Sequence, residues 1–180
     1  MKTWLALVLT LLVAHAGSVS GEPQKFSTIG SFSNMRFTRE PQYGVEVQLW
    51  RDGEELLGLL SCSEGLIGDT PTGVLEHARH DPRTGDISFQ ARLSTGQHFC
   101  KLHKDVPSRD LFSFQGRLSN SSATGVLKRS DLLHPESPAS EERVVLRKLK
   151  REGANQVDYR SRSEWSIAAR EILRLRGPKW

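Results

Sequence analysis

The first candidates for chemistry in this sequence are its cysteines and histidines. The chain has two cysteines, Cys62 and Cys100, and His98 lies two residues before the second. Residues two apart on a strand share a face, and zinc accepts both imidazole and thiolate ligands. In an oxidising compartment, however, an isolated pair of cysteines more often forms a disulfide. We therefore predict a Cys62–Cys100 disulfide, with no metal site and no cofactor; the alternatives are two free thiols or half of a metal site.

The sequence offers no recognisable catalytic arrangement. A hydrolase serine of the Gly-x-Ser-x-Gly type does not occur, and Ser61 and Ser63 flank Cys62 without such glycines. Adjacent carboxylates such as Glu54 and Glu55 point to opposite faces of a strand, and such side chains usually lie exposed to solvent at the edge of a sheet. Distant carboxylates could still meet in the fold, as a glycosidase requires. We therefore predict no catalytic residue and keep a hydrolase as the least favoured function.

The first 16 residues are typical of a secretion signal. Lys2 supplies the positive start, Trp4 to Val13 are apolar, and Ala14-His15-Ala16 is a small-x-small cleavage pattern. The apolar run, about ten residues, is too short to cross a bilayer. We therefore predict cleavage near Ala16 and a soluble mature chain that is secreted or periplasmic.

Charge limits the class of partner. The net charge is +4 and the isoelectric point lies near 9.3, so the protein is mildly basic. Export argues against DNA or RNA as the partner, and the charge then serves solubility or attracts anionic envelope components. Asn120-Ser121-Ser122 matches the N-glycosylation sequon, which applies only in a eukaryotic secretory pathway.

A six-residue phrase that occurs twice indicates the fold. Phe89 to Ser94 reads Phe-Gln-Ala-Arg-Leu-Ser, and Phe114 to Ser119 reads Phe-Gln-Gly-Arg-Leu-Ser. Apolar and polar side chains alternate in both copies, which is the period of a strand with one face in a core. Similar segments recur about every ten residues, separated by turn sequences such as Asp52-Gly53.

Eight or nine such strands predict an antiparallel meander. A meander protects its edges by closing into a small barrel or by packing as a two-sheet sandwich. We expect an all-β domain over residues 17–149, and a linker with a basic amphipathic C-terminal helix over 150–180. A small barrel followed by a helix resembles the lipocalin and calycin architecture in outline. The Gly-x-Trp signature of the first lipocalin strand is absent, so we assign no family.

One predicted strand has two apolar faces. Glu55 to Ser63 carries leucines at positions of both parities, so this strand should be covered on both sides. The neighbouring Trp50 lies on the polar face of its own strand. Ser161 and Glu164 match a helix capping box, and Trp165 and the apolar residues after it follow at helical spacing. The favoured interpretation is that the helix covers Trp50, because an isolated amphipathic helix is marginally stable.

Two binding hypotheses follow. The first is a small apolar or amphipathic ligand inside the β domain, which requires a cavity where the core could instead be filled. The second is attachment of the basic helix to an anionic envelope or membrane surface. The predicted ligand-binding residues are Trp50, Leu57, Leu59, Phe89, Phe112 and Phe114; the predicted surface-binding residues are Arg170, Arg174, Arg176, Lys179 and Trp180. The oligomeric state is not predicted.

Overall fold

The computed structural model describes residues 26–37, 41–66, 70–98, 106–150 and 158–180. Within these ranges the chain forms eleven strands and one helix. The strands are β1 (Ser27–Ser33), β2 (Arg36–Phe37), β3 (Pro41–Asp52), β4 (Glu55–Leu66), β5 (Thr72–His80), β6 (Asp86–Leu93), β7 (Gln97–His98), β8 (Val106–Pro107), β9 (Asp110–Leu118), β10 (Ser122–Asp131) and β11 (Ser140–Lys148), and the helix is α1 (Arg162–Arg176).

Eight of the strands close into an antiparallel barrel. Each of β1, β3, β4, β5, β6, β9, β10 and β11 pairs with the next in chain order, and β1 closes the ring by pairing with β11. The predicted meander is confirmed, and it forms a barrel with a C-terminal helix, not a sandwich. Strand β2 continues the line of β1 along β3, while β7 and β8 pair only with each other.

The two copies of the repeated phrase lie side by side in the barrel wall. Phe89 of β6 stands opposite Phe114 of β9, and their rings stack inside the barrel with centroids 5.0 Å apart. Phe32, Leu60 and Leu146 pack in the same interior cluster. All five side chains are at most 2% exposed, so described side chains fill the middle of the barrel.

The two ends of the barrel differ. At one end, which we call the hairpin end, short turns join β3 to β4, β5 to β6 and β9 to β10. The predicted Asp52-Gly53 hairpin is confirmed here: Gly53 has φ 63°, a left-handed value that glycine adopts without strain. At the other end, the loop end, longer connections join β4 to β5, β6 to β9 and β10 to β11.

Helix α1 packs on the outer wall of the barrel. Trp165 and Ala169 contact Trp50, Leu57 and Leu59 in a second apolar cluster, with the two tryptophan rings 6.1 Å apart. The interpretation that the helix covers Trp50 is thus confirmed, as is the burial of β4 on both faces. The indole N–H groups of Trp50 and Trp165 are both buried and have no hydrogen-bond partner among the described residues.

Side-chain contacts fix the start of α1. The Ser161 hydroxyl accepts a hydrogen bond from the Glu164 N–H at 3.2 Å, as the capping box predicts. The Glu164 carboxylate accepts from the Arg160 N–H at 2.8 Å, one residue earlier than the usual capping box. Arg162 donates to Glu55 at 3.0 Å, which ties the first turn of the helix to the hairpin end of the barrel.

We predict that Trp165→Ala lowers the free energy of unfolding by about 3 kcal/mol, because it removes the largest buried side chain of α1. Urea denaturation followed by circular dichroism measures the change. Ile167→Ala is the matched control on the same helix, since Ile167 is 59% exposed, and it should shift stability by less than about 0.5 kcal/mol. Equal effects of the two substitutions would contradict the docking of α1 on the barrel.

Candidate functional site: a seam at the loop end

The barrel wall is incomplete on one side. Strand β11 pairs with β10 over eight residues, from Ser140 to Arg147. On its other side, within the described ranges, it pairs with β1 only at Lys148 with Phe32 and at Arg147 with Ser33. Towards the loop end β11 therefore runs beside β2 and the start of β3 without strand pairing. We call this opening the seam.

Local side-chain hydrogen bonds explain why β1 leaves β11 after Ser33. The Asn34 side-chain oxygen accepts from the Val45 N–H at 2.8 Å, and the Asn34 N–H donates to the Val45 carbonyl at 3.1 Å. Gly44, at φ 121°, permits this close approach, since a Cβ there would lie 2.8 Å from the Asn34 side-chain oxygen. These bonds hold the kink between β1 and β2 against β3 and away from β11.

A cleft of about 780 Å³ occupies the seam. Its volume lies within the range of small-molecule sites in proteins, roughly 300–1,000 Å³. Arg36 and Tyr43 stand on one wall, and Arg143, Val145 and Arg147 stand on the other. The cleft therefore lies between β11 and the β2–β3 side of the barrel.

The floor of the cleft is apolar. It consists of inward-facing side chains at the loop end of the barrel core, each at most 5% exposed. They form the layer of the interior cluster nearest the loop end, so an apolar group that enters the seam contacts aliphatic and aromatic side chains. The floor residues are Val45, Cys62, Phe112, Leu127 and Val144.

A buried ion pair supports the floor. The Arg129 guanidinium donates to both carboxylate oxygens of Asp110, at 3.0 and 3.2 Å, to the Thr95 hydroxyl at 2.7 Å, and also to Glu64. Asp110 has a side chain only 3% exposed. Burial by itself raises the pKa of Asp110, but hydrogen bonds from Arg129, Thr95 and Ser108 outweigh it and hold that pKa below its usual value. The network joins β10 to β9, β4 and the segment after β6.

The rim of the cleft is positively charged. Arg36, Arg143 and Arg147 are exposed, and none of them pairs with a carboxylate of the described residues. With Arg129, four arginines line the cleft against two carboxylates, Glu64 and Glu142. An anionic group at the rim would therefore gain Coulomb attraction and bidentate hydrogen bonds.

The structure divides the six predicted ligand-binding residues. Trp50, Leu57 and Leu59 point out of the barrel and lie beneath α1, because they have the outward parity of β3 and β4. Phe89 and Phe114 fill the middle of the interior. Of the six, Phe112 lines the cleft. The six side chains therefore do not form one lining.

The predicted disulfide falls partly outside the described residues. Cys62 has a free thiol in the structure, 4% exposed and packed in the barrel interior, while Cys100 lies outside the described ranges. Burial, and then the negative charge of Glu64, raise the pKa of the Cys62 thiol to about 12. The pairing of the two cysteines stays a prediction. The predicted signal segment, residues 1–16, likewise lies outside the described residues.

Other predicted sites are placed as follows. No three side chains of His, Cys, Asp or Glu among the described residues come together as metal ligands, and the side chain of His98 is outside that set. The sequon residue Asn120 is exposed in the turn between β9 and β10. No helix in the described part of the chain is both long and apolar enough to span a bilayer.

The predicted surface-binding residues lie on the outer face of α1 and just after it. Arg174 pairs with Glu171 at 2.7 Å, the Lys179 ammonium donates to the Arg174 carbonyl, and the Trp180 ring lies 5.9 Å from the Arg109 guanidinium. Arg170 and Arg176 are exposed. Because the apolar face of α1 packs on the barrel, attachment through this helix would use its charged outer face. It stays a prediction.

Comparison of the chain with protein-family models, with curated proteins and with solved structures gave no match. The outline resemblance to lipocalins and calycins therefore stays a prediction.

We predict that Asp110→Asn lowers the free energy of unfolding by about 2 kcal/mol near neutral pH. This loss is smaller than the loss expected for a fully buried ion pair, because Arg129 is partly exposed to solvent. Folding lowers the pKa of Asp110. The contribution of Asp110 to the free energy of unfolding is therefore complete above its unfolded-state pKa of about 3.9, and it is lost as the pH falls through its folded-state pKa. Urea unfolding of wild type and variant across this range should show the difference shrinking in acid. Glu141→Gln, in the exposed pair with Lys128, is the control; a pH-independent difference would contradict the ion pair's role.

We predict that the Cys62 thiol resists alkylation in the folded Cys100→Ser variant. The Cys100→Ser variant leaves Cys62 as the single thiol, and its raised pKa leaves almost no thiolate at about pH 8. Iodoacetamide labelling followed by mass spectrometry should be slow in buffer and rapid in urea. Fast labelling of the folded variant would show that the floor of the cleft is open to reagent at Cys62.

Proposed function

We propose that this protein is an exported, non-catalytic binding domain that holds a small amphipathic ligand in the seam cleft. The observation that carries the proposal is the junction of an apolar floor and a basic rim within one cleft of about 780 Å³. Sites for small ligands combine apolar surface with a few convergent polar groups, and this cleft presents both.

The two parts of the cleft suit the two parts of an amphipathic ligand. The apolar part packs on Phe112, Leu127 and Val144, and each 100 Å² of apolar surface that it buries contributes about 2.5 kcal/mol. The polar part is an anion such as a carboxylate or a phosphate, which accepts hydrogen bonds from Arg36, Arg143 or Arg147. Arginine recognises such planar or tetrahedral anions through two parallel N–H groups.

Export and a disulfide belong to the same proposal. The support for export is the signal pattern that ends near Ala16. The support for a Cys62–Cys100 bridge is the oxidising compartment that export implies, together with the position of Cys62 towards the loop end, which the connection between β6 and β9 also reaches.

We predict that a fluorescent medium-chain fatty acid binds to the protein and that the double variant Arg143→Glu, Arg147→Glu weakens its binding by at least about tenfold, or 1.4 kcal/mol. The reason is the reversal of charge at the rim. Fluorescence titration gives the dissociation constant, and the methyl ester of the same acid should bind more weakly to wild type.

The matched control is the double variant Arg83→Glu, Arg117→Glu, which reverses two exposed arginines at the hairpin end and should leave binding unchanged. Equal loss in this control would assign the effect to net charge. Absence of binding by both the acid and its ester would overturn the proposed function.

A further inference from the structure

At the seam, the edge of β11 from Glu141 to Val145 has no partner strand among the described residues. In a strand, the N–H and C=O of one residue point to one neighbour and those of the next residue point to the other. The Lys148 N–H donates to Ser121, at the β10 side, and the Leu149 N–H donates to Ser31 of β1, each at 2.8 Å. Backbone groups at odd-numbered positions of β11 therefore face the β1 side.

Two odd-numbered positions without a partner, Arg143 and Val145, line the cleft. Arg147 pairs with Ser33 of β1. For Val145, Arg143 and Glu141, no described residue pairs with β11 on that side. An open strand edge is a template for the backbone of another extended chain.

We propose that the seam binds a short, extended, acidic peptide, which adds as a strand to the free edge of β11. This inference rests on the proposed function, because the peptide is then the amphipathic ligand of the same cleft. The free edge from Glu141 to Val145 is five residues long, about 16 Å at the rise of a strand.

The charges of the seam select an acidic peptide. A strand paired with this edge places alternate side chains beside the outward-facing Glu141, Arg143 and Val145, and places the others over Val144 and the floor. Glu141 already pairs with Lys128 at 3.2 Å, so Arg143, with Arg147 just beyond the free edge, sets the charge of the outer row. Acidic side chains fit the outer row, and apolar side chains fit the inner row. A peptide in which glutamate alternates with valine satisfies both.

The same charges disfavour a second copy of this chain as the occupant. Antiparallel pairing of two β11 edges in the register centred on Val145 would place Arg143 of each copy opposite Arg147 of the other. Like charges directly opposite each other on paired strands are destabilising. A peptide of opposite charge meets no such repulsion.

The test measures binding of a fluorescein-labelled glutamate–valine peptide of about six residues by fluorescence anisotropy, with a lysine–valine peptide as the charge control. We expect the glutamate peptide to bind and the lysine peptide not to bind. Val145→Pro removes the N–H that faces the cleft, at an edge position where proline is tolerated. It should weaken binding by about tenfold or more, whereas Val145→Ala keeps the N–H and should change binding less than about threefold.

A second variant keeps the proposal testable if Val145→Pro does not fold. Arg143→Glu with Arg147→Glu should reverse the preference, so that the lysine peptide binds and the glutamate peptide does not. Equal affinities of Val145→Pro and Val145→Ala would overturn strand addition. Binding of the fluorescent fatty acid without any binding of the peptide would overturn this inference and leave the proposed function standing, whereas failure of both ligands would overturn both.

Self-association is the remaining outcome. Sedimentation velocity should show a monomer, as the repulsion between arginines requires. A dimer that Val145→Pro abolishes would identify a second copy as the occupant and would overturn the peptide proposal.

Discussion

The pairing of β1 with β11 is the contact on which the rest of the structure depends. Two residue pairs, Phe32 with Lys148 and Ser33 with Arg147, close the sheet into an eight-stranded barrel. Without them the sheet would have two long free edges, which is a hazard for aggregation. If the pairing extended further towards the loop end, β11 would have no free edge and the cleft would be closed. The short contact therefore accounts for both the closed core and the open seam.

Much of the fold follows from local patterns in the sequence. The two-residue alternation in Phe89–Ser94 and Phe114–Ser119 is enough to place Phe89 and Phe114 in the core, because side-chain parity is a property of the strand itself. The sequence of β4 similarly predicts burial on both faces, because leucines of both parities place apolar side chains on each side of the strand. The barrel provides one cover, and Trp165 of α1 provides the other.

The candidate site could not be predicted in the same way. The seam exists because Asn34 and Gly44 turn the chain after β1, and because Ser33 meets Arg147 more than a hundred residues later. That register is not a local property of either segment. Parity also explains the division of the predicted ligand-binding residues, since apolar character alone did not separate the interior Phe112 from the exterior Leu57. Arg143, Val145 and Arg147 have the same parity in the sequence, which predicts a basic outer face of β11. That pattern does not indicate that part of β11 lacks a neighbouring strand.

The barrel interior and the outer wall are stabilised differently. Inside, the described apolar side chains interlock around stacked phenylalanines, while the ion pair of Asp110 and Arg129 meets its hydrogen-bonding needs at the loop end. The interior cluster and the cluster beneath α1 both use side chains of β3 and β4. Val47 and Leu60 face the interior, whereas Trp50 and Leu59 face the helix.

The contact between α1 and the barrel has a thermodynamic consequence. Each buried indole N–H that lacks an acceptor costs about 1–3 kcal/mol relative to a hydrated one, and Trp50 and Trp165 both carry such a group among the described residues. Detachment of the helix would rehydrate both at once and leave the strand ladder intact. The two unpaired N–H groups therefore lower the free-energy cost of releasing α1, a sub-global opening that hydrogen exchange would resolve as a separate unit.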